Sequence, residues 1–412
     1  MTDIIETSSP AALTRRPSPL AGRRVLDLSR VLAGPWCTMG LADLGAEVIK
    51  VEHPKGGDDT RHWGPPYVGG EAAYYLCANR NKQSLALDIS TPQGQAIVRD
   101  LAMRSDVVVE NYKLGGLDKY GLDYASLAAI NPAIVYCSIS GYGRASPIAE
   151  RPGYDYVIQA EAGLMSVTGE VDGQPMKVGV AVADLFTGMA ATQAILAALI
   201  ARDRDGVGQH IDMALYDCQL AMMANVASAY LTTGVDPKRY GNGHPTVVPY
   251  QVFDTADGRV VIAVGNDRQF AYLCTDLLDR PDMPADPRFG TNGARVANRE
   301  PLLAILAPLV AEKSTAFWLE ALRRVGVPTG EVRSVGAALT APETVARGMV
   351  RTVAHPTAGE VSLVASPLKL SGTPVAEPVA PPLLGQHSTS VLATLGYSDA
   401  EIEDLKRVGV IA

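Results

Sequence analysis

The segment from Val25 to Glu52 constrains the fold more than any other part of the chain. Val25-Leu-Asp-Leu28 reads as a buried strand, and Ala33 to Leu44 as a helix with Pro35 in its first turn. Gly45 closes the helix, and Glu47-Val-Ile-Lys-Val-Glu52 reads as the next strand. Strand, helix and strand in so short a span make a βαβ unit, which opens a parallel sheet. Apolar runs at 106–110, 133–138 and 209–215 predict further strands, with a helix over 91–104. The expected first half is α/β, a Rossmann-like doubly wound sheet.

Later in this half, Lys177 to Ala183 reads as another buried strand and an Ala-rich helix follows, with Asp184 at the junction. A helix start exposes unpaired N–H groups and positive dipole density, which favour an ionised carboxylate. Asp184 therefore suits either a simple N-cap or a charged, partly desolvated nucleophile. The first βα turn, Leu32 to Gly40, has no G-x-G-x-x-G, so no dinucleotide cradle is expected. The loops 56–61, 79–82 and 111–113, with Lys119, would bring Arg61, Lys82 and Lys113 to the sheet's carboxyl edge. Cations there suit a polyphosphate ligand. Gly153 would allow close backbone approach, and Asp155 would cap a helix over 156–166.

A chain of 412 residues with 47% hydrophobic content supports two domains. Residues 1–20, with Pro10, Pro17 and Pro19, read as a flexible tail, and 21–235 as the first part of the large α/β domain. Residues 245–330 read as a smaller α+β domain, opening on a hairpin with its turn at Asp257-Gly258. Residues 331–412 return to the large domain. A net charge of −8 argues against a nucleic-acid partner. Five scattered cysteines without a CxxC pair argue against disulfides and structural zinc, and fit a cytoplasmic location. No H-x-x-x-H or G-x-S-x-G motif suggests a metal site or a serine hydrolase. The apolar run 188–201 is short for a membrane span, and no apolar h-region follows Arg15-Arg16, so neither membrane insertion nor export is expected.

Several blocks in order resemble the class III CoA-transferases, the CaiB/BaiF family. They are Val25 to Pro35, Leu41 to Glu52, Asn81 to Asp88, Asp106 to Asn111, Gly153-Tyr-Asp155, Ala183-Asp184 and Pro382 to His387. The resemblance implies an intertwined homodimer with no permanent cofactor, and coenzyme A or acyl-CoA as substrate. It implies that Asp184 is the nucleophile and passes CoA between carboxylates through mixed anhydrides and an aspartyl-CoA thioester. Val31, Leu32, Leu87, Asn111, Tyr112 and Lys119 would line the CoA site. His53 stands where relatives often carry a phosphate-binding arginine, and Arg61 or Lys82 would compensate. The racemases of the same fold pair this aspartate with a histidine where this chain has Tyr154, a poor proton acceptor near neutral pH. That residue favours transfer over racemisation, and Tyr154 and Asp155 would shape the acyl pocket. The loop 239–250 looks most like that of the succinyl-CoA:dicarboxylate branch. Arg239 or His244, in a loop with Gly241 and Gly243, would hold a distal carboxylate. A non-catalytic CoA-binding protein is the alternative of another class.

Overall fold

The computed structural model describes residues 16–412. The expected N-terminal tail falls mostly on 1–15, outside the described residues. From Arg16 onward the chain is already tied down: the Ser18 hydroxyl donates to the Pro374 carbonyl at 2.7 Å, and Leu20 is buried. The flexible tail therefore does not extend to residue 20.

Six parallel strands form the main sheet: β1 (Arg24–Asp27), β2 (Glu47–Glu52), β3 (Lys82–Ala86), β4 (Val107–Glu110), β5 (Val135–Ser140) and β6 (Gln209–Ala214). Their spatial order is β3-β2-β1-β4-β5-β6, the doubly wound order with its switch point between β1 and β4. Leu26 of β1 pairs with Ile49 on one side and Val108 on the other. Side chains alternate across the sheet, so Val25, Val48, Val107 and Cys137 enter one core while Leu26, Ile49, Val108 and Tyr136 enter the other. The first core is closed by helices α1 (Ala33–Asp43) and α4 (Val182–Asp205), the second by α2 (Pro92–Met103) and the C-terminal helices. Both faces are covered, which is why the strands read as continuous apolar runs.

Several local expectations are corrected. Strand β3 replaces what the sequence presents as a charged loop at Lys82. No strand precedes Asp184; the chain from 177 to 181 is irregular, and Val180 is 56% exposed. The helix after it spans 24 residues, long and apolar enough by length and composition to cross a membrane, yet Ala191, Ile195, Ala198 and Leu199 pack into the sheet's core. Of the expected helix over 156–166, α3 (Asp155–Glu161) carries the first half. After β6 the chain forms α5 (Leu215–Met222), and a second helix runs over Ala224–Thr233.

The second unit comprises Gly163–Val178 and Ala229–Pro342, so it includes an excursion within the first half and ends later than 330. An antiparallel sheet of Tyr250–Asp254, Arg259–Ala263 and Thr329–Glu331 packs Phe253, Val260 and Ile262 against Leu302, Leu306 and Trp318 of two helices. The hairpin Val350–His355/Gly359–Val364 belongs to the first unit.

Candidate active site

The switch point is where a doubly wound sheet opens a crevice at its carboxyl edge. A cleft of about 200 Å³ lies there. It is lined by the turn after β1 (Arg30, Val31, Leu32), the turn after β4 (Asn111, Tyr112, Lys113, Leu114), the end of β5 with Gly141, the segment 149–154, and Asp184. The two switch-point turns are joined directly. The Asn111 amide donates to the Arg30 carbonyl at 2.7 Å, and its oxygen accepts from the Arg30 N–H at 2.9 Å. The Arg30 guanidinium lies 5.1 Å from the centre of the Tyr112 ring. Gly141 and Gly153, both in the cleft wall, bring their backbones together so closely that a Cβ on either would collide with the other. Helix α1 starts at this wall with no side-chain cap and no acidic residue in its first turn, so its positive end is available to an anion.

Asp184 is the third residue of α4, not its N-cap; that position is Ala181, which has no capping side chain. The cap comes from elsewhere in the chain. One carboxylate oxygen of Asp155 accepts from the Ala183 N–H at 2.8 Å and the Asp184 N–H at 3.3 Å, while the other accepts from the Gln159 amide at 2.7 Å. Asp155 thus caps α4 rather than the helix it begins. The helix donors expected to keep Asp184 charged are taken by a second carboxylate. Burial, and then the charge of Asp155, push the Asp184 carboxyl up to about 7. It therefore changes charge near neutral pH instead of remaining fully ionised.

Of the other expected site residues, Val31, Leu32, Asn111, Tyr112 and Tyr154 line the cleft with Asp184. Four others do not. The buried Arg61 gives its guanidinium to Glu52 (2.8 Å), Glu71 (2.9 Å), the Tyr75 hydroxyl (2.6 Å) and the Pro382 carbonyl (3.1 Å). Lys82 is fully buried against Asp27 (3.1 Å), the Asn79 side chain and the Pro35 carbonyl. Neither cation can turn outward to a phosphate without leaving a buried carboxylate unpaired. Leu87 is in the core, bridged to Ile411. Lys119 lies over the Tyr120 ring at 4.6 Å, outside the cleft lining. His53 is exposed, and its ring accepts from the Lys55 N–H at 3.0 Å. In the second unit, the Arg239 guanidinium donates to the carbonyls of Glu170 (3.1 Å), Ser166 (3.4 Å) and Gly173 (2.7 Å), which makes it a loop fastener. Gly241 has φ +55, Gly243 follows in the same turn, and the His244 ring packs on Tyr250 at 5.2 Å.

Lys113, expected at the sheet's carboxyl edge, stands in the cleft wall, and so does Arg30, a cation the sequence reading passed over. It also missed Tyr74. Burial and the negative charges of Asp184, Cys77 and Asp155 push that phenol up to about 12, and its ring meets Trp63 edge-on at 5.3 Å. Tyr74 thus stays a neutral O–H donor within the field of Asp184. Its signal in the sequence, a lone Tyr-Tyr pair, does not distinguish Tyr74 from the core residue Tyr75.

The family model for CoA-transferase family III matches residues 20–388. The chain is 48% identical over 389 residues to the succinate–glutarate CoA-transferase of Agrobacterium fabrum, covering 93% of this chain and 97% of that protein. It is 44% identical over 406 residues to the human succinyl-CoA:glutarate CoA-transferase, covering 98% and 92%. A crystal structure of a CaiB/BaiF family protein from Brucella suis superposes with a TM-score of 0.83 at 47% identity, covering 92% of this chain and all of that one. With matches of this extent, this chain belongs to CoA-transferase family III.

Proposed function

We propose that this enzyme moves CoA from succinyl-CoA to a small dicarboxylate, with Asp184 as the covalent nucleophile. The observation that carries the reading is the placement of Asp184 in the wall of the switch-point cleft. The names of the similar Agrobacterium and human proteins support the choice of donor and acceptor class.

The ionised Asp184 carboxylate attacks the thioester carbonyl, and CoA leaves as thiolate, giving a mixed anhydride. The thiolate attacks the aspartyl carbonyl and releases succinate, leaving an aspartyl-CoA thioester. The acceptor carboxylate attacks that thioester and again expels the thiolate. The thiolate then takes the acceptor's acyl group and frees Asp184. No proton or water is consumed, and one difficult exchange becomes four easier ones. The uncapped start of α1 is suited to stabilise an oxyanion. Arg30 and Lys113 are the cations suited to the CoA phosphates. The chemistry calls for no permanent cofactor. Hydroxylamine added during turnover with succinyl-CoA should convert Asp184 to a hydroxamate, read by peptide mass spectrometry. A screen of C3 to C6 acids should show faster transfer to dicarboxylates than to monocarboxylates of equal length. An unmodified Asp184 under turnover sinks the mechanism.

The acid limb of the pH–rate profile should follow Asp184. Transfer requires the carboxylate, so kcat rises with pH through about 7. Asp155→Asn keeps an oxygen for the Ala183 N–H but removes the neighbouring charge. The limb should then move down by about one pH unit. A limb that stays in place would refute the coupling of the two carboxyls.

We also propose a homodimer in the cytoplasm. Met189, Ile200, Leu220, Tyr230 and Leu231 are exposed large apolar residues, with Leu231 at 82%. Apolar groups in such number call for cover by a second copy, and light scattering should return the dimer mass.

A further inference from the structure

Lys50 sits in the middle of β2 with its side chain completely buried. Its ammonium donates to the Ser29 carbonyl at 2.8 Å and lies 2.9 Å from a carboxylate oxygen of Asp58, also fully buried. Asp58 in turn accepts from the Val31 N–H at 3.3 Å, the Thr60 N–H at 3.0 Å and the Thr60 hydroxyl at 2.8 Å. One ammonium therefore anchors the turns that follow β1 and β2.

Val31 lies in that first turn with φ +70. A β-branched residue in the left-handed region is strained and persists only where its surroundings over-determine it. Here they do. Ser29 is held by Lys50, Arg30 by Asn111 and Val31 by Asp58. A buried ion pair is a poor stability device, since an apolar pair of similar volume serves as well. What an apolar pair cannot do is hold a carbonyl on one side and an N–H on the other.

We propose that the Lys50–Asp58 pair is a positioning device: it fixes the left-handed turn at Val31, and so the wall of the cleft against which CoA binds, without touching substrate. This rests on the reading that the cleft receives CoA. The pair stays charged across the working range, because the Lys50 charge and hydrogen bonds hold the Asp58 carboxyl down at about 2. Its contribution to affinity is accordingly flat with pH, unlike that of Asp184 to rate.

CoA binding to the full-length protein by titration calorimetry, beside steady-state kinetics with succinyl-CoA, tests the proposal. Asp58→Asn should raise the CoA Kd and the KM by about 10- to 100-fold, the loss expected for a displaced binding wall, with kcat held within about threefold. Adding Val31→Gly should recover at least about tenfold of that loss, because glycine takes φ +70 without strain. Should Asp58→Asn fail to fold, Lys50→Met/Asp58→Leu removes both charges together and should fold while binding CoA as weakly. Native CoA affinity in a folded variant, or a fall in Tm alone, overturns the proposal. Failure of the unaltered protein to bind CoA would instead overturn the reading of the cleft.

Discussion

Replacing Asp184 with asparagine should abolish CoA transfer, lowering kcat by at least about 10³-fold, while CoA still binds. The amide keeps the shape of the side chain but cannot open a thioester. The cleft-lining turns at Arg30–Leu32 and Asn111–Leu114 do not depend on it. The same variant should be more stable than the parent at alkaline pH. In the folded protein Asp184 titrates near 7, against about 3.9 in an unfolded chain, so the fold holds this proton more tightly. That contribution is complete below about pH 4 and drains away as the pH rises through 7. A separation of that size corresponds to about 4 kcal/mol at most, and access to water through the open cleft reduces it to about 1–2 kcal/mol. Thermal unfolding of the two proteins from pH 5 to pH 8.5 should show the variant gaining on the parent. Residual transfer above a hundredth of the parent's rate would remove Asp184 from the nucleophile's role.

This site was legible in the sequence where its logic is local and hidden where it is not. Strands β1 and β4 announce themselves through apolar runs, and the turns that follow them line the cleft. Strand β3 does not, because Lys82 and Ser84 are polar yet buried, paired with Asp27 of β1 and Glu52 of β2. The reverse error occurs before Asp184, where a β-branched run stays irregular and exposed. Asp184 itself was identified by its motif, but its environment was misjudged. The group that occupies the helix donors, Asp155, lies in another helix 29 residues earlier. Charge alone likewise placed Arg61 and Lys82 at the cleft, where neither lies. Arg30, between Ser29 and Val31 in the first βα turn, lines the cleft, whereas Arg61, in a loop rich in glycine and aspartate, does not.

Arg61 therefore separates the two kinds of cation by experiment. Its guanidinium meets Glu52 and Glu71, stacks 3.7 Å from the Tyr75 ring centre, and reaches the Pro382 carbonyl near the other end of the chain. Arg61→Met should leave two buried carboxylates uncompensated and cost about 3–5 kcal/mol. The apparent Tm should fall by about 5–10 °C, since a protein of this size loses only a few degrees per kcal/mol. The loss should be largest at neutral and higher pH, because Glu52, which burial alone would push up, is held low chiefly by its hydrogen bond with Arg61. With Arg61 gone, burial pushes Glu52 up, so as the pH falls Glu52 takes up a proton and the deficit should shrink. A cation that bound the CoA phosphates would behave in the opposite way, with CoA affinity falling at least about tenfold at unchanged Tm. Differential scanning calorimetry beside CoA titration at 25 °C distinguishes the two, and the buried pairing of Arg61 requires the first pattern.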